Sequence, residues 1–165
     1  MKSLKIYSAF LLALLVMSCD DEFEGEIVKD SIPEIPVTFD GATTYGFNPY
    51  YSVSYAGGTF SLTLSIPSTS KLKIKEVSNI VAGTTAINVA SLDNVKQYLD
   101  APVAVDGYTY TLSTSITEFN TKAISGAVTS APAAGALVER AFMIKLTMED
   151  ESIIVPVQCR IRVTP

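Results

Sequence analysis

Aromatic side chains crowd one short stretch of the sequence: Tyr45, Phe47, Tyr50, Tyr51 and Tyr55, with Asn48 and Pro49 among them. Gly46 and the Asn48-Pro49 pair are turn signals, so the cluster reads as a loop. Rings exposed in a loop stack on the apolar faces of sugars, while tyrosine hydroxyls and asparagine amides bond sugar hydroxyls. Tyr45, Phe47, Tyr50 and Tyr51 are therefore the candidate ligand-binding residues. The same rings have a second reading, in which they plug one end of a β-structure or alternate in and out of a strand. The absence of Trp weighs against a sugar platform.

Other chemistry is sparse. The chain contains no His, which excludes Ser-His-Asp and Cys-His catalysis and imidazole-ligated zinc. Asp93, Asp100 and Asp106 lack calcium-loop spacing. Glu149, Asp150 and Glu151 share what reads as a solvated hairpin tip. A glycosidase needs two carboxyl groups about 5–10 Å apart across a cleft, and no such pair stands out. A carboxylate-dependent hydrolase is the weakest of the functional readings; no cofactor and no metal site are expected. Lys71, Lys73 and Lys75 share one face of a strand, where they meet an anionic polymer or blunt a sheet edge. With 12 Lys and Arg against 17 Asp and Glu, the net charge of −5 argues against nucleic acid as a partner.

Residues 1–18 read as a secretory signal peptide. Lys2 and Lys5 make a positive start, and Ile6 to Val16 is apolar apart from Ser8. That stretch is short of the roughly 20 residues a membrane-spanning helix needs. Val16-Met17-Ser18-Cys19 resembles a bacterial lipobox, with an apolar residue at −3, a small one at −1, and then the cysteine that becomes lipidated. Asp20-Asp21-Glu22 follows directly and resembles the export signal of Bacteroidota surface lipoproteins. Together these resemblances imply lipidation at Cys19 and an outer-membrane anchor facing the cell exterior, the membrane being one partner.

Residues 19–34 read as the lipidated cysteine and its tether. Between 20 and 34 there are seven acidic residues and one basic; from 35 to 165 there are ten and nine. The acidity thus sits in the leash, which Pro33 and Pro36 close in extended backbone. With Cys19 assigned to lipid, Cys159 has no disulfide partner. It lies in phase with Val155, Val157, Ile161 and Val163, and reads as a small core residue.

Residues 35–165 read as one β-domain. Period-two alternation marks Phe60–Ile66, Leu72–Ile74, Tyr108–Leu112, Phe142–Met148 and Ile153–Val163. In the last run Ile153, Val155, Val157, Cys159, Ile161 and Val163 face one way. Gln158, Arg160 and Arg162 face the other, with Pro156 marking an edge or a bulge. Three hairpins are expected, at Ala56-Gly57-Gly58, Asp106-Gly107 and Glu149–Ser152, and they imply antiparallel pairing. One helical turn is expected, capped by Ser91 and carrying Leu92, Val95 and Leu99. Ala123–Leu137 reads as loop.

Short strands separated by turns give an all-β, antiparallel sandwich with at most one short helix. The closing pair, Phe142–Leu146 and Ile153–Val157, resembles the last strands of immunoglobulin-like domains in such lipoproteins. The expected function is a non-enzymatic, lipid-anchored binding or accessory module, with glycan capture in a nutrient-uptake system as one form of it. The alternative is an adhesin or assembly subunit that pairs with a surface protein through an edge strand.

Overall fold

Alternation of apolar with hydroxyl-bearing side chains makes strands of most of this chain, because one face of each segment can be buried while the other stays wet. A computed structural model describes residues 35–44, 48–93 and 96–165, all within the unit Ile35–Pro165. The signal peptide, Cys19 and the acidic tether lie outside the described residues.

Among the described residues nine strands form in order: β1 (Thr38–Asp40), β2 (Tyr50–Ser54), β3 (Thr59–Ser65), β4 (Ile74–Gly83), β5 (Val103–Gly107), β6 (Thr109–Ser115), β7 (Val138–Met148), β8 (Ile153–Ile154) and β9 (Cys159–Thr164). One sheet is ordered β1-β3-β6 and the other β2-β9-β7-β4-β5, with β8 also on β7. Neighbours are antiparallel except β2 and β9, which run parallel. In immunoglobulin-type order the first sheet supplies strands A, B and E and the second C, F and G. Here β1 and β2 are two halves of a first strand divided between the sheets. The chain is an immunoglobulin-like β-sandwich.

The two inner faces supply the core. Leu62 and Leu64 of β3 and Leu112 of β6 meet Phe142, Ile144 and Leu146 of β7 and Ile161 of β9. Phe142 is the hub. Its ring makes edge-on contacts with Phe60 (6.1 Å), Tyr98 (5.3 Å) and Phe119 (5.7 Å), from three separate elements. Such contacts add to what area burial alone contributes.

A second apolar cluster lies apart from the main core and joins Val81, Ala141 and Met143 to Ile87 and Leu92. Residues between β4 and β5, with a 3-10 turn at Val89–Asp93, carry those last two side chains. β7 is therefore buried on both faces along part of its length. The approach is so close at Gly83 that a Cβ there would stand 2.8 Å from the Ile87 side chain.

Four expectations need correction. The turns at Ala56-Gly57-Gly58 and Asp106-Gly107 do not make hairpins. β2 pairs with β9 while β3 pairs with β1 and β6; β5 pairs with β4 while β6 pairs with β3. Both turns carry the chain from one sheet to the other, with Asp106 at φ +42° in the second. A short turn fixes a reversal of direction, not the identity of the partner strand. Only Glu149–Ser152 closes a true hairpin, with Leu146 opposite Ile154 and the Met148 N–H on the Ser152 carbonyl at 2.9 Å.

The C-terminal run is not one strand. From Leu146↔Ile154 to Phe142↔Cys159, β7 moves four residues and its partner five. The extra residue is a bulge at the segment holding Pro156, and it reverses the phase. Cys159, Ile161 and Val163 face inward as expected. Ile153 and Val157 are exposed, Ile154 packs on the main core, and Val155 packs on the second cluster.

The α-helix also lies elsewhere. Ser91 belongs to the 3-10 turn, where its hydroxyl accepts the Asn88 N–H at 3.1 Å. The helix α1 is Ile116–Lys122. Ser115 caps it by accepting the Glu118 N–H at 3.0 Å, and Glu118 pairs with Lys122 one turn on at 3.1 Å. Phe119, fully buried, drives α1 into the core. Ala123–Leu137 holds no strand or helix. The lysine row does not blunt an edge either, since β4 lies between β7 and β5.

Phe142→Ala is expected to lower unfolding stability by about 3–5 kcal/mol, because it removes three ring contacts and leaves a cavity. Denaturant unfolding followed by tyrosine fluorescence measures it. A loss under 1 kcal/mol, on the order of an ordinary surface change, would show that Phe142 is not the hub.

Candidate functional site

The strand period decides which predicted residues can act together. Tyr50 and Tyr51 are consecutive in β2, so they point to opposite faces and cannot share one loop platform. That corrects the loop expectation for these two. Tyr45 and Phe47 lie outside the described residues.

Tyr51 points inward, toward the other sheet. Its hydroxyl stands 2.7 Å from the Asp40 carbonyl and 3.1 Å from that of Thr63, and it accepts the Thr63 N–H at 3.3 Å. One phenol thus ties β2 to the end of β1 and to β3. Burial is the main cause of its raised pKa. This hydroxyl is committed within the fold.

Tyr50 points outward and stands half-exposed. Register places Tyr50 beside Arg160, Ser52 beside Arg162, and Glu139 beside Arg162, all on one face of three neighbouring strands. The Arg162 guanidinium lies over the Tyr50 ring at 3.5 Å, a cation–π stack. Glu139 takes both arginines: Arg162 Nε donates to Oε1 at 2.7 Å and Arg160 Nη1 to Oε2 at 3.1 Å. Arg160 Nε donates to the Gln158 side-chain oxygen at 2.8 Å. With its amide oriented to satisfy both ends, Asn48 accepts from Arg160 Nη2 at 3.0 Å and donates to the Gln158 carbonyl at 3.3 Å. Gln158 is itself buried and donates to the carbonyls of Thr85 and Ile87 at 3.2 and 2.8 Å.

The result is a ring flanked by planar donors and acceptors whose orientations are fixed by one another. The Glu139 side chain is only 16% exposed, against 26% and 35% for Arg160 and Arg162. A carboxylate that is mostly covered and shared by two guanidinium groups is held more firmly than an isolated surface pair. Chemically, the face offers N–H donors, a carboxylate acceptor and an aromatic surface.

The other sheet presents a different outer face. Ser61 and Ser113 hydroxyls meet at 3.2 Å, Thr63 and Thr111 at 3.0 Å, and Thr38 and Ser65 at 3.1 Å. Asp40 accepts from Ser65 at 2.6 Å. These hydroxyls satisfy each other across the strands.

Most of the remaining candidates are tied into local structure, Asp93 being an exposed residue at the end of the 3-10 turn. Asp106 pairs with Lys73 at 3.6 Å and Asp100 with Lys122 at 3.4 Å. Glu149 accepts the Lys73 N–H at 3.1 Å, Glu151 pairs with Lys75, and Asp150 accepts from Ser152. Cys159 is buried in the core, where desolvation pushes its thiol pKa up to about 12. Tyr98, likewise desolvated, is raised to about 12; its hydroxyl meets that of Thr114, which donates to Glu118 at 2.9 Å.

No family model matches the chain, and no curated protein matches it. Among solved structures, the fibronectin(III)-like modules of Clostridium thermocellum CbhA are similar over 78% of this chain and 96% of that one. They share 14% identity at a TM-score of 0.35. The likeness is loose, and the sandwich stands on its own sheet order.

Sequence reasoning missed Glu139, Gln158, Arg160 and Arg162 as a group. Half of the signal was visible: Gln158, Arg160 and Arg162 occupy the polar phase of an otherwise apolar run. Glu139 was not, because its partnership depends on the β7–β9 register.

Cys159 and Tyr98 make stability depend on alkaline pH. Both are acids whose folded pKa exceeds the ordinary 9.0 and 10.0. The unfolded chain therefore loses these protons first, and stability falls as pH rises from 9 toward 12. Denaturant midpoints at pH 7, 9 and 10.5 are expected to drop above pH 9, and the drop should shrink in Cys159→Ala. A flat profile would contradict the burial of these groups.

Proposed function

We propose that the protein is a non-enzymatic, lipid-anchored module of the cell surface that binds a glycan on the outer face of β2, β9 and β7. Tyr50 supplies the stacking surface through the ring face opposite Arg162. Arg160, Arg162, Glu139 and Asn48 supply the hydrogen-bonding groups. The observation that carries this reading is the Arg162–Tyr50 stack held by Glu139, an array fixed before any ligand arrives, which lowers the ordering cost of binding. The lipobox at Val16–Cys19 and the acidic run after it support the anchor and the outward orientation. Among the described residues no helix is long and apolar enough to cross a membrane. The anchor in this reading is the lipid on Cys19.

Affinity electrophoresis against a panel of neutral polysaccharides tests the site. Retardation by at least one is expected, reduced about tenfold or more in Tyr50→Ala, since a stacked ring contributes on the order of 1–2 kcal/mol. Tyr51→Phe should bind as the parent does while losing about 1 kcal/mol of stability for its inter-sheet hydroxyl. No retardation by any polysaccharide would remove the glycan reading. Binding that survives Tyr50→Ala would move the site elsewhere. The anchor is tested separately by palmitate incorporation in cells, expected in the parent and absent in Cys19→Ser.

A further inference from the structure

We propose that β6 is a docking edge for a second copy of this chain, two β6 strands pairing antiparallel about a two-fold axis at Thr111. A strand at a sheet edge carries a row of unpaired backbone groups, and proteins guard such edges with charge, proline, bulges or brevity. Three of the four edges in this sandwich are guarded. β1 is three residues long, follows Pro36 and carries Asp40. β2 follows Pro49 and is closed at its start by a reciprocal backbone pair between Tyr50 and Thr43, at 2.9 and 2.8 Å. β5 follows Pro102, carries Asp106 at φ +42°, and its pairing with β4 is bulged.

β6 has none of these devices. Thr109-Tyr110-Thr111-Leu112-Ser113-Thr114-Ser115 contains no charge and no proline, and its register with β3 is unbroken over all seven residues. The Ile66 N–H on the Tyr108 carbonyl and the Ile116 N–H on the Gly58 carbonyl fix which groups face β3. The backbone of Tyr110, Leu112 and Thr114 points to β3; that of Thr109, Thr111 and Ser113 points away. Among the described residues nothing bonds those outward groups.

The identity of the partner follows from what β6 already accepts. Its neighbour β3, Thr59-Phe60-Ser61-Leu62-Thr63-Leu64-Ser65, has the same pattern: hydroxyls outward, apolar groups inward, no charge. A second β6 presents that pattern again. Pairing about Thr111 sets Thr111 opposite its own copy and Thr109 opposite Ser113. These are the same hydroxyl combinations that β3 and β6 make at Thr63–Thr111 and Ser61–Ser113. Inward, Tyr110 comes opposite Leu112. No like charges are brought together along the strand, so nothing in it opposes self-pairing. The three-stranded sheets of two copies would join into one of six. Nothing in this arrangement uses the Tyr50 face.

Disulfide trapping in cells tests the pairing on the full chain. Thr111→Cys is compared with Thr63→Cys, which lies on the same outer face but between β1 and β6, and with the parent, whose Cys159 is buried. Mild oxidation is expected to give a dimer band for Thr111→Cys at least tenfold stronger than for Thr63→Cys. Adding Thr109→Asp and Ser113→Asp, which face each other across the axis, should abolish it while folding is retained by circular dichroism. Equal or absent bands overturn the proposal, as does a band that survives the aspartates. A Thr111→Cys adduct with a chain of another size would also overturn it, in favour of a different partner.

Discussion

The molecule depends on β7 being buried on both faces. Inward, Phe142, Ile144 and Leu146 meet the opposing sheet. Outward, Ala141 and Met143 are covered by the β4–β5 connection. A strand in an open two-layer sandwich usually keeps one face wet. Here the double burial is confined to the stretch beside β4, and the wet part of the same face resumes at Glu139. The division of that face into a covered half and a polar half is what leaves room for the arginine–tyrosine array.

Gln158 joins these halves. The bulge before β9 places it on the outer face, where it donates to the carbonyls of Thr85 and Ile87 and accepts from Arg160. The connection that covers Met143 and the side chains that support Tyr50 therefore share one buried amide. Without the extra residue near Pro156, the phase of β9 would reverse, and Arg160 and Arg162 would face the core. A local irregularity in the ladder thus sets the chemistry of the outer surface.

The sequence made the class and the inner face legible because alternation is a local property. Leu62, Leu64, Leu112, Phe142, Ile144, Leu146 and Ile161 all lie inside, as their phase predicts. It did not make strand partners legible. Asp106-Gly107 resembles a tight hairpin turn and instead crosses between sheets, because pairing is decided by which inner faces meet across the core. The helix was missed although its cap was readable: Ser115 precedes Glu118 at capping-box spacing. It was hidden by the strand pattern running into it, and the stronger apolar spacing at Leu92 drew the assignment. For Tyr50 and Tyr51 the loop reading fails and the alternative of rings alternating in and out of a strand holds, because the period of β2 separates the two side chains.

The two outer faces follow opposite rules. On the β2-β9-β7 face, charge is concentrated and paired, with one carboxylate shared by two guanidinium groups and a net positive charge left over. On the β1-β3-β6 face, six hydroxyls bond in pairs and the single carboxylate, Asp40, lies at the edge away from β6. Charge confers selectivity toward a small ligand and also keeps sheet edges apart. Its absence from β6 therefore has a structural meaning that its presence around Tyr50 sharpens. The two faces are separated by the thickness of the core, about 10 Å in aligned sandwiches. Tyr50 and Thr111 thus lie on different layers, and a copy paired along β6 leaves the ring and its arginines open to solvent.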